Sequence, residues 1–254
     1  MQKEKLKKPI VVAIIQARMS STRLPGKVLF PLPCQNGKPI IELINNQLKK
    51  SELIDSIIVG TTSNTTDDPL TELLERKDIS YYRGHPSDVF SRFKTICTVN
   101  DIQHVVRITA DNPLIDIDSL DKVIHYHLKH KFDYTITKGL PIGMNFEVFS
   151  VSEFLRANEI QLSDHEKEHV TVYLKENSKN QGVLNFPVNK AISSLRLTID
   201  HPCDFALFNI LLPRINRSKS SVTDQISDIY ENHNWIFQIN NHLLQKKHYT
   251  DVKS

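Results

Sequence analysis

Cysteine is scarce in this chain of 254 residues, and its three copies, Cys34, Cys97 and Cys203, lie far apart with no CxxC pair. That spacing argues against a disulfide framework or a thiolate zinc site and for a reducing compartment. Long apolar runs are missing as well. After the basic start MQKEKLKKP, the apolar run extends only over residues 10–15, too short for the apolar part of a signal peptide or for a membrane span. No membrane insertion is expected, and the cytoplasm is the expected location. Nor is there a large surplus of one charge: 32 Lys+Arg stand against 29 Asp+Glu, a formal +3, so no nucleic-acid partner is expected. Both GxxxxGK[ST] and GxGxxG are absent, as are internal repeats, low-complexity segments and Pro/Gly-rich linkers. With 39% hydrophobic and 24% charged residues, the composition is that of a globular protein, read here as one domain over 1–254.

What is present is an alternation of short β-branched runs with helical patterns. Residues 10–16 (IVVAIIQ) are apolar without alternation, which predicts a strand buried on both faces. Further strands are expected over 56–61, 79–82, 104–109 and 133–137, and helices over 39–50, 68–77, 87–99 and 119–130. Strands alternating with helices of this length predict βαβ units, hence an α/β three-layer sandwich around a mainly parallel sheet. The second half is less regular. It predicts strands over 147–149, 182–188 and 195–200, and helices over 151–160, 165–177, 205–215 and 235–245. Ligands of such sheets sit beyond the carboxyl ends of the strands, which selects the loops 17–27, 62–67 and 110–113.

The first of these loops is the most informative. QARMSSTRLPGK (16–27) packs Arg18, Arg23 and Lys27 around Ser20, Ser21, Thr22 and Gly26, directly after the buried strand. A triphosphate needs cations, hydroxyls and free backbone N–H groups held together, and this loop supplies all three. The usual fate of a basic turn is solvation; its place at a strand end favours the phosphate reading. Nucleoside triphosphate chemistry also calls for a carboxylate to hold Mg2+. Asp111, which follows the apolar strand HVVRIT, is placed at the same edge, although a lone Asp before Asn-Pro also serves as a turn or helix cap.

A strand followed by QARMSSTRLPGKVL resembles the opening signature of the SpsF family (spore coat polysaccharide biosynthesis protein F), which is similar to the CMP-Kdo and CMP-sialate synthetases. The resemblance continues through TTSNTTDDPL (61–70), RGHPSDVFSRF (83–93), VRITADNPLID (106–116), EVFS (147–150), EHVT (168–171) and LRLTID (195–200), and so covers roughly residues 10–210. It implies a Rossmann-like nucleotidyltransferase fold of the GT-A-like kind, with a smaller inserted acceptor and dimerisation subregion at about 138–190, and a homodimer. It also implies a reaction: CTP activates a sugar, sugar acid or sugar phosphate, giving a CMP- or CDP-sugar and pyrophosphate for surface polysaccharide or glycan synthesis, with Mg2+ as cofactor.

Carried over residue by residue, the resemblance implies that Gln16, Ala17, Arg18, Ser21, Arg23 and Lys27 bind the nucleotide, helped by Thr61, Thr62, Asp88 and Arg92. Arg18, Lys27 and Asp111 are the catalytic set it implies, Asp111 and Asp200 the metal carboxylates, and Glu168 and His169 members of the acceptor pocket or of the dimer contact; Asn145 and Glu147, beside Gly143, carry groups that can hydrogen-bond the hydroxyls of a sugar acceptor. Ala110 stands where relatives often carry Gly and Asn112 where they often carry Cys; neither change removes a ligand. Plainer roles compete at several positions. Asp88 and Arg92, four residues apart on a helix, can simply pair; Thr61 and Thr62 suit strand-end turn chemistry; Asp200 suits a helix cap ahead of Pro202. Asp116 and Asp118 read as solvated residues at a helix start.

Two other function classes are open to test. His165–His169 (HEKEH) matches H-E-x-x-H and would make a zinc hydrolase, but its flanks are charged and no third-ligand signature follows. A glycosyltransferase using a preformed nucleotide-sugar shares the layout, yet no DxD pair stands at a strand end. His125, His127 and His130 read as surface or half-buried helix residues, and the terminal HLLQKKHYTDVKS as a solvated basic end.

Overall fold

The computed structural model describes residues 9–157, 161–216 and 221–243. In chain order the elements are β1 (Val11–Gln16), a small ribbon of β2 (Pro31–Leu32) and β3 (Lys38–Pro39), α1 (Ile40–Leu48), β4 (Ser56–Thr62), α2 (Asp68–Arg76), β5 (Tyr81–Gly84), α3 (Val89–Val99), β6 (His104–Thr109), α4 (Ile117–His130) and β7 (Tyr134–Lys138). There follow β8 (Glu147–Ser150), α5 (Val151–Arg156), α6 (Asp164–Glu168), α7 (Val172–Asn177), β9 (Gln181–Asn185), α8 (Lys190–Ser193), α9 (Pro202–Leu211) and α10 (Val222–His233).

Seven strands form one sheet in the order β5-β4-β1-β6-β8-β7-β9. β1 lies between β4 and β6, parallel to both, and β4 is parallel to β5. β8 alone runs against its neighbours β6 and β7, while β7 and β9 are parallel. The central position explains the unbroken apolar run of β1. Val11, Ala13 and Ile15 point into one core, with Leu70 and Leu74 of α2, Leu120 and Val123 of α4, and Phe208 of α9. Val12 and Ile14 point into the other, with Phe90, Phe93 and Ile96 of α3, Phe154 of α5 and Leu174 of α7. Each of the larger of these side chains, Val, Leu, Ile or Phe, contributes about 1.5–3 kcal/mol by leaving water. Among the described residues no helix is long and apolar enough to cross a membrane.

The second half departs from the sequence reading. Residues 195–200 are not a sheet strand: one bridge joins Ile142 to Arg196, and the segment otherwise bonds to loops, Leu197 N–H to Ile142 O at 2.7 Å and Ile199 N–H to Asp111 O at 2.8 Å. The helix expected over 165–177 is broken into α6 and α7 at His169, where φ −102° and ψ 67° leave the helical region. The helix expected over 205–215 is α9 followed by a 3-10 turn (Leu212–Arg214), and that over 235–245 is a 3-10 stretch (Asn234–Ile239) whose expected last two residues lie outside the described residues. The helix expected over 151–160 is α5, ending at Arg156; residues 158–160 lie outside, as do most of the two basic ends.

Two side chains expected near solvent are buried. Asp116 accepts from Ser119 N–H at the start of α4 and from Thr223 N–H (3.1 Å) and Oγ1 (2.7 Å), tying α4 to α10. His127 is fully buried, its ring held between His104 (3.0 Å) and Thr135 Oγ1 (2.8 Å). Burial, with the neighbouring His104, pushes the His127 pKa down to about 3. The unfolded chain titrates near the ordinary value of about 6.5. The native state therefore binds fewer protons between these two values, and stability is full above the unfolded value and is lost as pH falls through that window. Replacing His127 with Gln is expected to flatten the pH dependence of urea unfolding between about pH 6.5 and about pH 3, by up to about 1.4 kcal/mol per pH unit. An unchanged slope would contradict the assignment.

Candidate active site

The carboxyl ends of β1 and β6 open into a cavity of about 1710 Å³. One wall is the loop after β1. Ala17 N–H bonds to Gly60 O (3.2 Å), so the loop leaves the sheet in register with β4. Met19 O accepts from Ser21 N–H and Gly26 N–H, both at 2.9 Å, and Gly26 takes the left-handed conformation (φ 73°) that starts the turn carrying Lys27. Lys27 is thereby buried to 8% exposure, unusual for a lysine, and its ammonium must find partners. It donates to Ile199 O (2.6 Å) and Asp200 Oδ1 (3.0 Å) and lies 3.6 Å from Asp111 Oδ2.

Three cations meet Asp200: Lys27, Arg23 at 3.2 Å and Arg196 at 3.1 Å. Burial alone would raise its carboxyl, but Lys27, Arg23 and Arg196 outweigh that and hold it below the usual carboxylate range. Behind it Arg196 forks onto Asp204 at 3.0 and 3.1 Å. The capping role weighed for Asp200 falls to its neighbours instead, since His201 is the N-cap of α9 and Asp204 closes the capping box. Opposite, Gly143 (φ +93°) presses on the 195–200 segment so closely that a Cβ there would stand 2.2 Å from Leu197 O.

The loop residues Gln16, Ala17, Arg18, Ser21, Arg23 and Lys27 all line this cavity with Asp111 and Asp200. So do Glu168 and His169; Glu168 Oε1 lies 3.9 Å from Arg18 Nη2 across the opening. Other expected site residues are engaged elsewhere. Thr61 and Thr62 are buried, donate their hydroxyls to Asp67 and do not line the cavity. Asp88 caps α3 by accepting from Ser91 N–H (2.8 Å) rather than pairing with Arg92. Arg92 is 1% exposed, donates to His85 O at 3.3 Å, and has no carboxylate within ion-pair distance among the described residues.

Asn145 is turned back on its own loop, donating to Leu140 O and Pro141 O and accepting from Thr137 Oγ1. Glu147 is a buried hub: Arg107 (2.8 Å), Tyr134 (2.8 Å), Thr171 (3.0 Å) and Lys175 (2.8 Å) all reach its carboxylate. Burial would raise its pKa; Arg107 and Lys175 outweigh that and hold it well below the carboxylate range. In this structure the bonds of both side chains are internal, and neither residue lines the cavity.

In the H-E-x-x-H segment, Glu166 is taken up by a capping box with Ser163, and α6 ends before His169, although the rings of His165 and His169 lie 4.6 Å apart. Among the described residues no group of three or more His, Cys, Asp or Glu could hold a metal unaided. Asp67, Arg107 and Arg196 were missed from sequence. Arg107 and Arg196 did leave a signal, each a lone cation inside an apolar segment (HVVRIT, LRLTID); Asp67 lies in the loop 62–67 that the strand-end rule selects, with nothing local to single it out.

A mostly parallel sheet with a cation-bearing loop after its first strand and a carboxylate after the neighbouring one defines a Rossmann-like nucleotidyltransferase. The chain belongs to the cytidylyltransferase family, whose model it matches over residues 12–245. It is 30% identical to the spore coat polysaccharide biosynthesis protein SpsF of Bacillus subtilis, over 86% of this chain and 99% of that one. Among solved structures it superposes on a cytidylyltransferase from Leptospira borgpetersenii with a TM-score of 0.80 and 29% identity, over 93% of this chain and 99% of that one. A CMP-2-keto-3-deoxy-manno-octonic acid synthetase solved with CTP shares the fold at a TM-score of 0.63 and 11% identity, over 80% and 98%.

Proposed function

We propose that the protein transfers the cytidylyl group of CTP to a sugar-type acceptor and releases pyrophosphate, as a cytoplasmic step of surface polysaccharide or glycan synthesis. The observation that carries this reading is the Lys27 ammonium, buried at the strand ends between Asp111 and Asp200, 3.6 and 3.0 Å away. An acceptor oxygen, either an anomeric hydroxyl or a sugar phosphate, attacks the α-phosphorus in line, and pyrophosphate leaves. Arg18, Arg23 and Lys27 neutralise the charge that develops on the phosphates. Glu168 and His169, on the wall facing Arg18, meet the acceptor.

The donors at the site suit magnesium, since Asp111 and Asp200 offer hard carboxylate oxygens that are 30% and 20% exposed. Three cations already surround Asp200, so the ion fits there in company with a polyanion rather than alone. Mg2+ bound by Asp111 and Asp200 would supply charge neutralisation at the phosphates. Lys27, tied to Ile199 O, fixes where the two carboxylates stand.

The test is pyrophosphate release from each of the four common NTPs with Mg2+ and a panel of sugars, sugar acids and sugar phosphates, with mass spectrometry of the products. Release with CTP and a product heavier than the acceptor by a cytidylyl group is expected. Turnover seen only with a preformed nucleotide-sugar would contradict the reading.

A further inference from the structure

Asp67 is a buried carboxylate, 1% exposed, that the proposed chemistry does not use. Its two oxygens face different parts of the chain. Oδ1 accepts from Met19 N–H in the loop after β1 at 2.7 Å. Oδ2 accepts from Thr61 Oγ1 and Thr62 N–H, both at 3.2 Å, and from Thr62 Oγ1, at the end of β4. Met19 in turn closes the loop, because its carbonyl receives Ser21 N–H and Gly26 N–H. Both polar backbone groups of Met19 are thus committed, one to Asp67 and one to the loop itself. Arg18 stands just before this pin, and Arg23 and Lys27 after it.

We propose that Asp67 is the positioning residue of the phosphate-binding loop, holding its cations and N–H groups in their binding arrangement by anchoring Met19 to β4. The proposal rests on the reading of that loop as the cradle of CTP. Every neighbour of Asp67 in this network is a donor, so the position requires a group that accepts on both atoms. A carboxylate does so; an amide of the same shape must turn its NH2 against either the Met19 N–H or the threonine donors. The charge also matters nearby: the buried Arg92 guanidinium is disfavoured by desolvation and by Arg18, and Asp67 with Asp88 opposes both effects.

Asp67→Asn, which changes no volume, is the variant to make. By calorimetry its affinity for CTP is expected to fall about tenfold or more, the effect of unpinning charge-assisted contacts, while that for cytidine stays within about twofold. In turnover the loss appears mainly in the KM for CTP. Undiminished CTP affinity in the variant, or an equal loss for CTP and cytidine, overturns the proposal. A second reading needs no variant: in the unaltered protein the Met19 amide exchanges slowly with deuterium before nucleotide is added, and rapid exchange there overturns the pin even if Asp67→Asn fails to fold. If the unaltered protein binds no CTP, the functional reading itself is lost and this inference with it. Normal binding by both proteins sinks the inference alone.

Discussion

Replacing Asp111 with alanine is expected to slow pyrophosphate release by about 10²–10³-fold or more, the usual scale for removing one charge-stabilising group from a transition state. The fold is expected to survive. Asp111 contributes to structure through its carbonyl, which accepts from Ile199 N–H at 2.8 Å and Thr198 Oγ1 at 3.3 Å. Its side chain is 30% exposed and meets Lys27 at 3.6 Å, so alanine leaves neither a cavity nor a buried unpaired charge, because Lys27 retains Asp200 and Ile199 O. Turnover and thermal unfolding are measured on the same sample. Near-normal release from a folded variant would remove Asp111 from the mechanism.

The largest effect on stability is expected one layer further back. Asp204 is completely buried and accepts from Arg196 Nε and Nη2, Asn240 Nδ2, and the N–H groups of Asp200 and His201, all at 2.7–3.1 Å. Removing one partner of a buried ion pair costs about 3–5 kcal/mol, because the other charge is left in a poor medium. Asp204→Ala is expected to lose that much in urea unfolding, and a loss below about 1 kcal/mol would contradict the account. Burial would raise the Asp204 carboxyl, but Arg196 and Asn240 more than reverse it and hold it low. Its stabilisation is therefore full above the unfolded value of about 3.9 and disappears as the pH falls below it. Turnover falls as well, since Arg196 also touches Asp200 at 3.1 Å and loses its fixed orientation.

The parts of this architecture legible in the sequence are those dictated by neighbours along the chain. Continuous apolar character marked β1 as central, and twelve residues of cations, hydroxyls and turn chemistry marked the loop that follows it. Placing Asp111 at the same rim needed only the rule for strand ends. What stayed hidden was decided by partners far away in the chain. Asp116 looks like a solvated helix start until Thr223, 107 residues on, covers it. Glu147 looks available to a sugar until Arg107, Thr171 and Lys175 converge on it. His127 sits in a polar-looking helical stretch, and only packing against β6 and β7 buries it. The reversed β8 escaped notice because a four-residue strand has the same pattern in either direction.

The contact at Gly143 has a consequence of its own. The main chain at residue 143 and the carbonyl of Leu197 approach with no room for even one carbon atom between them. The turn and the strip bearing Asp200 therefore behave as a single casting: pushing either moves both. A side chain at 143, on the wall of the same cavity, would have to push the Leu197 carbonyl aside and with it the carboxylate three residues further on, so the absence of a Cβ there helps to set where Asp200 stands.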